Sequence, residues 1–385
     1  MGFDTVIIWI MAFGIIIGGI DRIIGNKFGL GEQFEEGFNA MGPLALGMVG
    51  IMTLAPVISK VLGPVIIPVF NAVGSDPAMF ASILANDMGG YPLAMSLTQN
   101  TQIAQFSGLI VASMLGCTLV FSIPVGLGLI DYKDRPFFAK GLLIGIISIP
   151  IGSIVGGIIA GFDIGMLLVN AIPVIALSVF LILGLIYIPE KMIAGALLFG
   201  KFIVIVITVG LVTAGFQQLT GVVLIPGMAP IEDGLVVVGQ IGVILLGTFP
   251  ILTLFVKYLK KPLSAVGQKC GLDATSAAGI VITLANSIPV YKMIKNMNPK
   301  GKVVNIAWLV PATAALGDHL GFTAGVSQDM ITPVVLGKLI AGIFAVALAL
   351  WLCGNLKNEI AQSEKMTKKE NVTVISEQWT VNSEQ

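Results

Sequence analysis

Apolar positions run through this chain in long unbroken blocks, and polar positions gather where the blocks end. Reading between charged and Gly/Pro breaks gives eleven hydrophobic segments, near 3–22, 37–59, 77–98, 103–130, 139–161, 164–188, 200–218, 234–257, 273–292, 303–326 and 331–354. Blocks of this length predict helices able to cross a bilayer, for which roughly 20 residues suffice. Residues 355–385 are polar, rich in Lys, Glu, Ser and Asn, and predict a disordered tail.

Two stretches about two hundred residues apart read as one unit written twice. In the first, Glu35-Glu36-Gly37-Phe38 leads to Gly74-Ser75-Asp76 and then to Leu84-Ala85-Asn86-Asp87-Met88-Gly89-Gly90. In the second, Glu232-Asp233-Gly234-Leu235 leads to Gly271-Leu272-Asp273 and then to Leu284-Ala285-Asn286-Ser287-Ile288-Pro289. At one fixed offset Gly37/Gly234, Gly42/Gly239, Gly50/Gly247, Lys60/Lys257, Gly74/Gly271 and Asp76/Asp273 coincide, and a small insertion then aligns the Leu-Ala-Asn triplets. Leu115-Gly116-Cys117-Thr118 pairs in the same way with Leu316-Gly317-Asp318-His319. Duplicated membrane units, each interrupted by a helix-breaking polar sequence, are a common plan of secondary transporters.

Basic residues set the expected topology. If segments 77–98 and 273–292 are re-entrant hairpins, Arg22, Lys27, Lys133, Arg135, Lys140, Lys191, Lys201, the lysines from 257 to 302 and the Lys-rich tail all face the cytoplasm, and only Lys60 falls clearly outside. The prediction is therefore an all-α polytopic protein of about nine spanning helices plus two re-entrant hairpins. Residues 1–163 form a first repeat, 164–188 a linking transmembrane helix, 189–354 a second repeat of opposite orientation, and 355–385 a cytoplasmic tail. The competing reading has eleven spanning helices, with 77–98 straight and kinked at Gly89-Gly90. It moves the basic clusters at 133–140, 191–201 and 257–269 to other sides. Gly89, Gly90, Pro92 and Pro289, beside Asn86 and Asn286, disfavour that straight helix.

Composition removes the soluble alternatives. Of 385 residues 56% are hydrophobic and 11% charged, too apolar for a protein that must keep a polar exterior. The first segment lacks a basic start and runs into Asp21-Arg22, so it reads as a retained helix and not a signal peptide. Cys117, Cys270 and Cys353 are scattered and His319 is the sole histidine, so neither a metal cluster nor a nucleophile–base pair is offered. No enzyme, cofactor or nucleic-acid partner is expected.

Ionisable residues within the apolar segments are Asp87, Asp318, His319, Asp329 and Lys338. A charge near the bilayer centre costs about 2.5–3.5 kcal/mol on insertion scales, so each calls for a reason. Asp318 is the expected cation-binding carboxylate and Asp87 a second carboxylate or gate ligand; the bland alternative is a helix-packing pair. His319 could hold Asp318, meet a substrate hydroxyl, carry a coupling proton, or be a satisfied interior imidazole. Asn86, Asn286 and the adjoining Ser287 stand at the hairpin tips as polar ligands, though either Asn could simply cap a half-helix. Asp329 reads as a solvated loop residue, and Lys338 as a structural lysine snorkelling outward. Glu35-Glu36 and Glu232-Asp233, at segment starts, suit helix N-termini and would also make a negative vestibule. With Arg22 and Arg135 the only arginines, both in loops, no buried clamp for carboxylates exists. A small cationic or polar neutral substrate follows.

Gly31-Glu32-Gln33-Phe34-Glu35-Glu36-Gly37-Phe38, Asp87-Met88-Gly89-Gly90, Ile188-Pro189-Glu190-Lys191-Met192, Ala315-Leu316-Gly317-Asp318-His319-Leu320-Gly321-Phe322 and Gly337-Lys338-Leu339-Ile340 resemble the ethanolamine-utilisation permease family, EutH. The resemblance runs over residues 1–354. It implies a bacterial cytoplasmic-membrane protein that brings in ethanolamine to feed ethanolamine ammonia-lyase inside a microcompartment. Ethanolamine and the lipid bilayer are then its partners. Hairpin-gated, elevator-like movement of one bundle is the expected mechanism, with rocking as the alternative, and a homodimer is the expected assembly. A coupling H+ or Na+ is left open. The competing function is an ion-coupled carrier of another small polar or organic-acid metabolite. Loops near 25–32 and 161–165 are shorter than in some relatives and the tail is longer, which touches no candidate site.

Overall fold

The computed structural model describes residues 2–84, 90–353, 356 and 359–367, and among them every regular element is helical. The first half holds α1 (Phe3–Ile23), α2 (Leu30–Asn39), α3 (Met41–Ala72) and two short helices, α4 (Ala81–Leu84) and α5 (Gly90–Leu97). A rod over Thr101–Leu129 follows, opening as α6 (Thr101–Gln105) and closing as α7 (Ile123–Leu129), and then come α8 (Arg135–Ile159) and α9 (Ile164–Tyr187). The second half holds α10 (Pro189–Thr220), α11 (Ile231–Lys269), the short α12 (Ala274–Thr283) and α13 (Ile288–Met293), then α14 (Pro299–Ala312), α15 (Asp318–Val326) and α16 (Ile331–Leu352). Eight helices among the described residues are long and apolar enough to cross a membrane.

The expected segment at 303–326 is the exception. It is not one helix but two, α14 and α15, parted at residues 313–317. Ala314 stands at φ +51° there, a left-handed conformation that costs a non-glycine residue energy. What sustains the break is external pairing. The Ala314 N–H donates to the Thr283 carbonyl and the Leu316 N–H to the Leu284 carbonyl, each at 2.9 Å. Backbone torn from its helix at this depth needs such partners, and α12 supplies them.

Each pair of short helices leaves and returns at one spot, because an aspartate ties its two ends. Asp76 caps the first turn through Ala78 N–H at 2.8 Å and accepts the Thr98 hydroxyl at 2.8 Å. Asp273 caps α12 through Ser276 N–H at 2.7 Å and accepts the Asn298 N–H at 2.5 Å. The preceding Gly74 and Gly271 both take left-handed turns, at φ +74° and +78°. The outer ends of α4 and α5, and those of α12 and α13, are thus held together at their bases.

The halves interlock by exchanging first helices. At Gly50 of α3 the α10 backbone comes so near that a Cβ would overlap the Ile207 carbonyl, and Gly210 meets the Gly50 carbonyl in return. Gly247 of α11 meets the Met11 carbonyl of α1 in the same way, and Gly14 meets the Gly247 carbonyl. Gly152 of α8 and Gly337 of α16 complete the set, since a Cβ on either would stand 2.7 or 2.9 Å from the other's carbonyl oxygen. Small residues let helix backbones approach where lipid gives no hydrophobic push.

The Thr101–Leu129 rod runs through the middle, buried from Ile103 through Leu119 on every face. Most of it winds with wide π turns, over Phe106–Gly116 and Thr118–Ser122. Its apolar side chains (Phe106, Leu109, Met114 and Leu115) form the core with Leu142, Ile146, Leu309 and Val310. The α9 and α10 helices instead present Phe180, Leu183, Leu198 and Phe202 outward, the apolar exterior expected of a protein bathed in lipid. The described part of the tail, residues 359–367, is helical where disorder was expected, and Glu359 pairs with Lys140 of α8 at 2.8 Å.

Candidate functional site

The second hairpin's tip is the unwound stretch between α12 and α13. Asn286 shapes it, its Oδ1 accepting the Ile288 N–H at 2.9 Å. The carbonyl side of Asn286 therefore acts as a cap, and its amide N–H2 is the group left with donor chemistry. Against this tip lies the break between α14 and α15, so close that a Cβ on Gly317 would overlap the Ala285 carbonyl. The break delivers Asp318 to the first turn of α15, where the helix N-terminus favours its negative charge. One carboxylate oxygen accepts the His319 N–H at 3.1 Å.

Between tip, break and the neighbouring helices lies a cavity of about 460 Å³. Asn286, Ser287, Thr313, Asp318 and His319 line it from the second half, and Glu36, Asn39 and Cys117 from the first. Leu245 and Phe249 of α11 give it an apolar wall. Asp318 is partly exposed and Asn286 exposed, while Ser287 and His319 are buried at the cavity's margin. The ionisable groups that line it are two carboxylates, one thiol and one imidazole, with Lys338 enclosed behind the imidazole.

Four of the six expected site residues, Asp318, His319, Asn286 and Ser287, therefore meet around one cavity. Asn86 and Asp87 lie outside the described residues. Asp329 sits exposed in the turn after α15, accepting the Ser327 hydroxyl at 2.7 Å, as a solvated loop residue would.

Lys338 overturns its expectation. It does not snorkel outward but is fully enclosed, its Nζ 2.9 Å from His319 Nδ1 and 2.5 Å from the Ser113 carbonyl oxygen. Its place on α16 turns it toward the rod and α15, away from any surface.

Residues outside the expected substrate-binding set also join the site, Glu36 among them as the vestibule reading allowed. Glu36 and Asn39 come from the end of α2, and Cys117 from the rod. For Cys117 a signal existed, since the duplicated pattern aligns it with Asp318. The rod's wide turns fall at the place where the second half breaks its helix outright. A second cavity of about 190 Å³ lies beside the first hairpin, lined by Pro92, Ser96, Asp233 and Gly234. Asp233 and Gly234 are the repeat counterparts of Glu36 and Gly37.

Eight helices long and apolar enough to span, together with a chamber lined by Glu36 and Asp318, define a multi-pass helical membrane protein. The chain belongs to the family described as ethanolamine utilisation protein, EutH, whose family model matches residues 3–352. It is 49% identical over 372 residues to the Listeria monocytogenes "Probable ethanolamine permease EutH", covering 96% of this chain and 100% of that one. The Escherichia coli protein of the same name is 45% identical, covering 91% and 96%. Bacillus subtilis YxeR, described as uncharacterized, is 43% identical, covering 96% and 98%. No solved structure matches.

Proposed function

We propose that this protein is a permease that brings ethanolamine across the bacterial cytoplasmic membrane. The observation that carries this reading is the single cavity joining Asp318, His319, Asn286 and Ser287 at a broken helix. Ethanolamine at neutral pH is mostly a small ammonium ion bearing one hydroxyl. In the proposed pose Asp318 takes the ammonium through charge-assisted hydrogen bonds, and the amide of Asn286 or the His319 ring takes the hydroxyl. Leu245 and Phe249 cover the two methylenes. The names of the relatives point to the same substrate.

Alternating access by two inverted repeats is the proposed mechanism. Supporting it are the matched aspartate ties of the two hairpins and the reciprocal glycine contacts of α1 with α11 and of α10 with α3. The positive-inside rule assigns the lysine-rich base of the second hairpin, Lys292, Lys295, Lys300 and Lys302, to the cytoplasm. The large cavity then opens inward and the smaller one beside the first hairpin is its closed outward counterpart. A re-entrant course for both hairpins, a cytoplasmic tail, a dimeric assembly and a coupling H+ or Na+ belong to the same proposal.

Uptake of radiolabelled ethanolamine into proteoliposomes tests it. Competition by unlabelled ethanolamine, but not by small carboxylates, is expected. Competition by carboxylates with none by ethanolamine would reassign the protein to organic-acid transport.

A further inference from the structure

We propose that the slot between α9 and α10 binds one anionic phospholipid of the cytoplasmic leaflet, with its phosphate at Lys191 and one acyl chain running inward to the first hairpin. The site rests on the cytoplasmic placement of Lys191, and not on which solute the protein carries.

The helices α9 and α10 meet at Ile188, where one ends and the other begins. Near that turn they touch, since a Cβ on Gly184 would overlap the Met192 sulfur. Beyond it lies a cavity of about 320 Å³, backed by Leu119 and Ile123 of the rod. Leu181 and Leu185 of α9 and Phe199 of α10 wall it, and Ile83 of α4 reaches it from the first hairpin. Phe199 also packs on Ala81 and Leu84 of that hairpin, so the end of the slot away from Ile188 is the hairpin's end. Lys191 is the one charged group among the described lining residues, and the others are apolar or glycine. The Ile188-Pro189-Glu190-Lys191-Met192 motif, which the transport site leaves unused, therefore stands at the mouth of an apolar slot.

Water finds almost nothing to bond to in such a slot, whereas bilayer hydrocarbon lies at its rim, where Phe180 is exposed. Lys191 and Phe199 are eight residues apart on α10, about 12 Å of helix rise. Half of a bilayer's hydrocarbon core is about 15 Å thick. A lipid with its phosphate at Lys191 thus has a chain that ends against Phe199 and Ile83, close to the midplane. The charge selects the headgroup, because basic pockets between helices on the cytoplasmic side attract anionic lipids. Glu190, the neighbouring carboxylate, is exposed and is not among the lining residues. A chain bound here becomes part of the wall against which the first hairpin packs.

Fluorescence quenching by brominated lipids in nanodiscs tests the site without any transport. In a background with Trp9, Trp351 and Trp379 replaced by Phe, Phe180→Trp puts an indole at the rim of the slot, and the buried Trp308 is subtracted through the parent protein. Phosphatidylglycerol and phosphatidylcholine, each brominated midway along one chain, are diluted separately into unbrominated phosphatidylcholine. Phosphatidylglycerol should half-quench at about one-fifth of the mole fraction that phosphatidylcholine needs, the attraction of one lysine. Lys191→Gln, at an exposed position, should erase that difference, and Lys191→Arg should keep it. Phe202→Trp, outward on α10 and outside the slot, should be quenched alike by both lipids. Equal quenching of Phe180→Trp by the two lipids overturns the proposal, as does a preference that survives Lys191→Gln. An indole at 180 that neither lipid reaches also overturns it, and would mean that a second copy of the chain covers the slot. Ethanolamine that is not transported at all would sink the permease reading and leave the quenching result standing.

Discussion

Lys302 Nζ lies 2.5 Å from Asp134 Oδ1, with both side chains almost wholly enclosed. The pair joins the turn before α8 to the start of α14, and the Phe137 ring sits 5.4 Å from the same ammonium. Removing one partner leaves the other as an uncompensated buried charge, which costs about 3–5 kcal/mol. Asp134→Asn and Lys302→Met should therefore each lower the unfolding temperature strongly in detergent. The double variant should lose less than the sum of the two. Additive losses would mean that the two charges do not hold one another.

The glycine contacts predict a matched pair of defects. Gly50→Ala places a methyl into the α10 backbone and Gly247→Ala places one into the α1 backbone. Overpacking of this kind costs about 1–3 kcal/mol. Both variants should show reduced monodisperse protein on size exclusion, and to a similar degree. Gly42→Ala and Gly239→Ala, whose added Cβ meets open space, serve as controls that behave as wild type. If Gly50→Ala were as stable as those controls, α3 and α10 could not be packed as described.

Asp318 should be the most sensitive position for transport. Asp318→Asn keeps shape and hydrogen bonding but removes the charge that would face an ammonium, so uptake at low ethanolamine should fall roughly 10- to 100-fold. Asp329→Asn, in the exposed turn, should leave uptake near wild type. The measurement is initial-rate uptake normalised to folded protein. Full activity in Asp318→Asn would remove this carboxylate from the site.

Topology can be checked without transport. In a background with Cys117, Cys270 and Cys353 replaced, single cysteines at 133 and 300 should label from the same face of the membrane and one at 60 from the opposite face. Labelling of 133 and 300 from different faces would contradict the proposed inverted arrangement of the two halves.

The sequence was most readable where structure is local. Long apolar blocks located the spans, and the Gly-x-Asp triplets at 74–76 and 271–273, legible as repeat landmarks, prove to be turns made locally by a left-handed glycine and a capping aspartate. It was least readable where structure is tertiary. The break at 313–317 shows only Pro311 and Gly317 as local hints, and its decisive partners are carbonyls of Thr283 and Leu284 on another element. Lys338 misled for the same reason. A lone lysine in an apolar block normally reaches for the interface, and it is tertiary partners, the Ser113 carbonyl and His319 Nδ1 among them, that keep this one inside. Asp318 was legible as important, and the duplicated pattern pointed to Cys117 as its opposite number, but the wall supplied by Glu36 and Asn39 follows from how α2 leans on α11.

The two hydrogen bonds from Ala314 and Leu316 to Thr283 and Leu284 rivet the bent tip of one element to the gap in another. Asn286 and Asp318 consequently ride on a single stiff carriage. No motion that keeps those rivets can prise the amide from the acid. Under the proposed alternating access, any door into the chamber would therefore swing on its far jamb, where α2 and α11 stand.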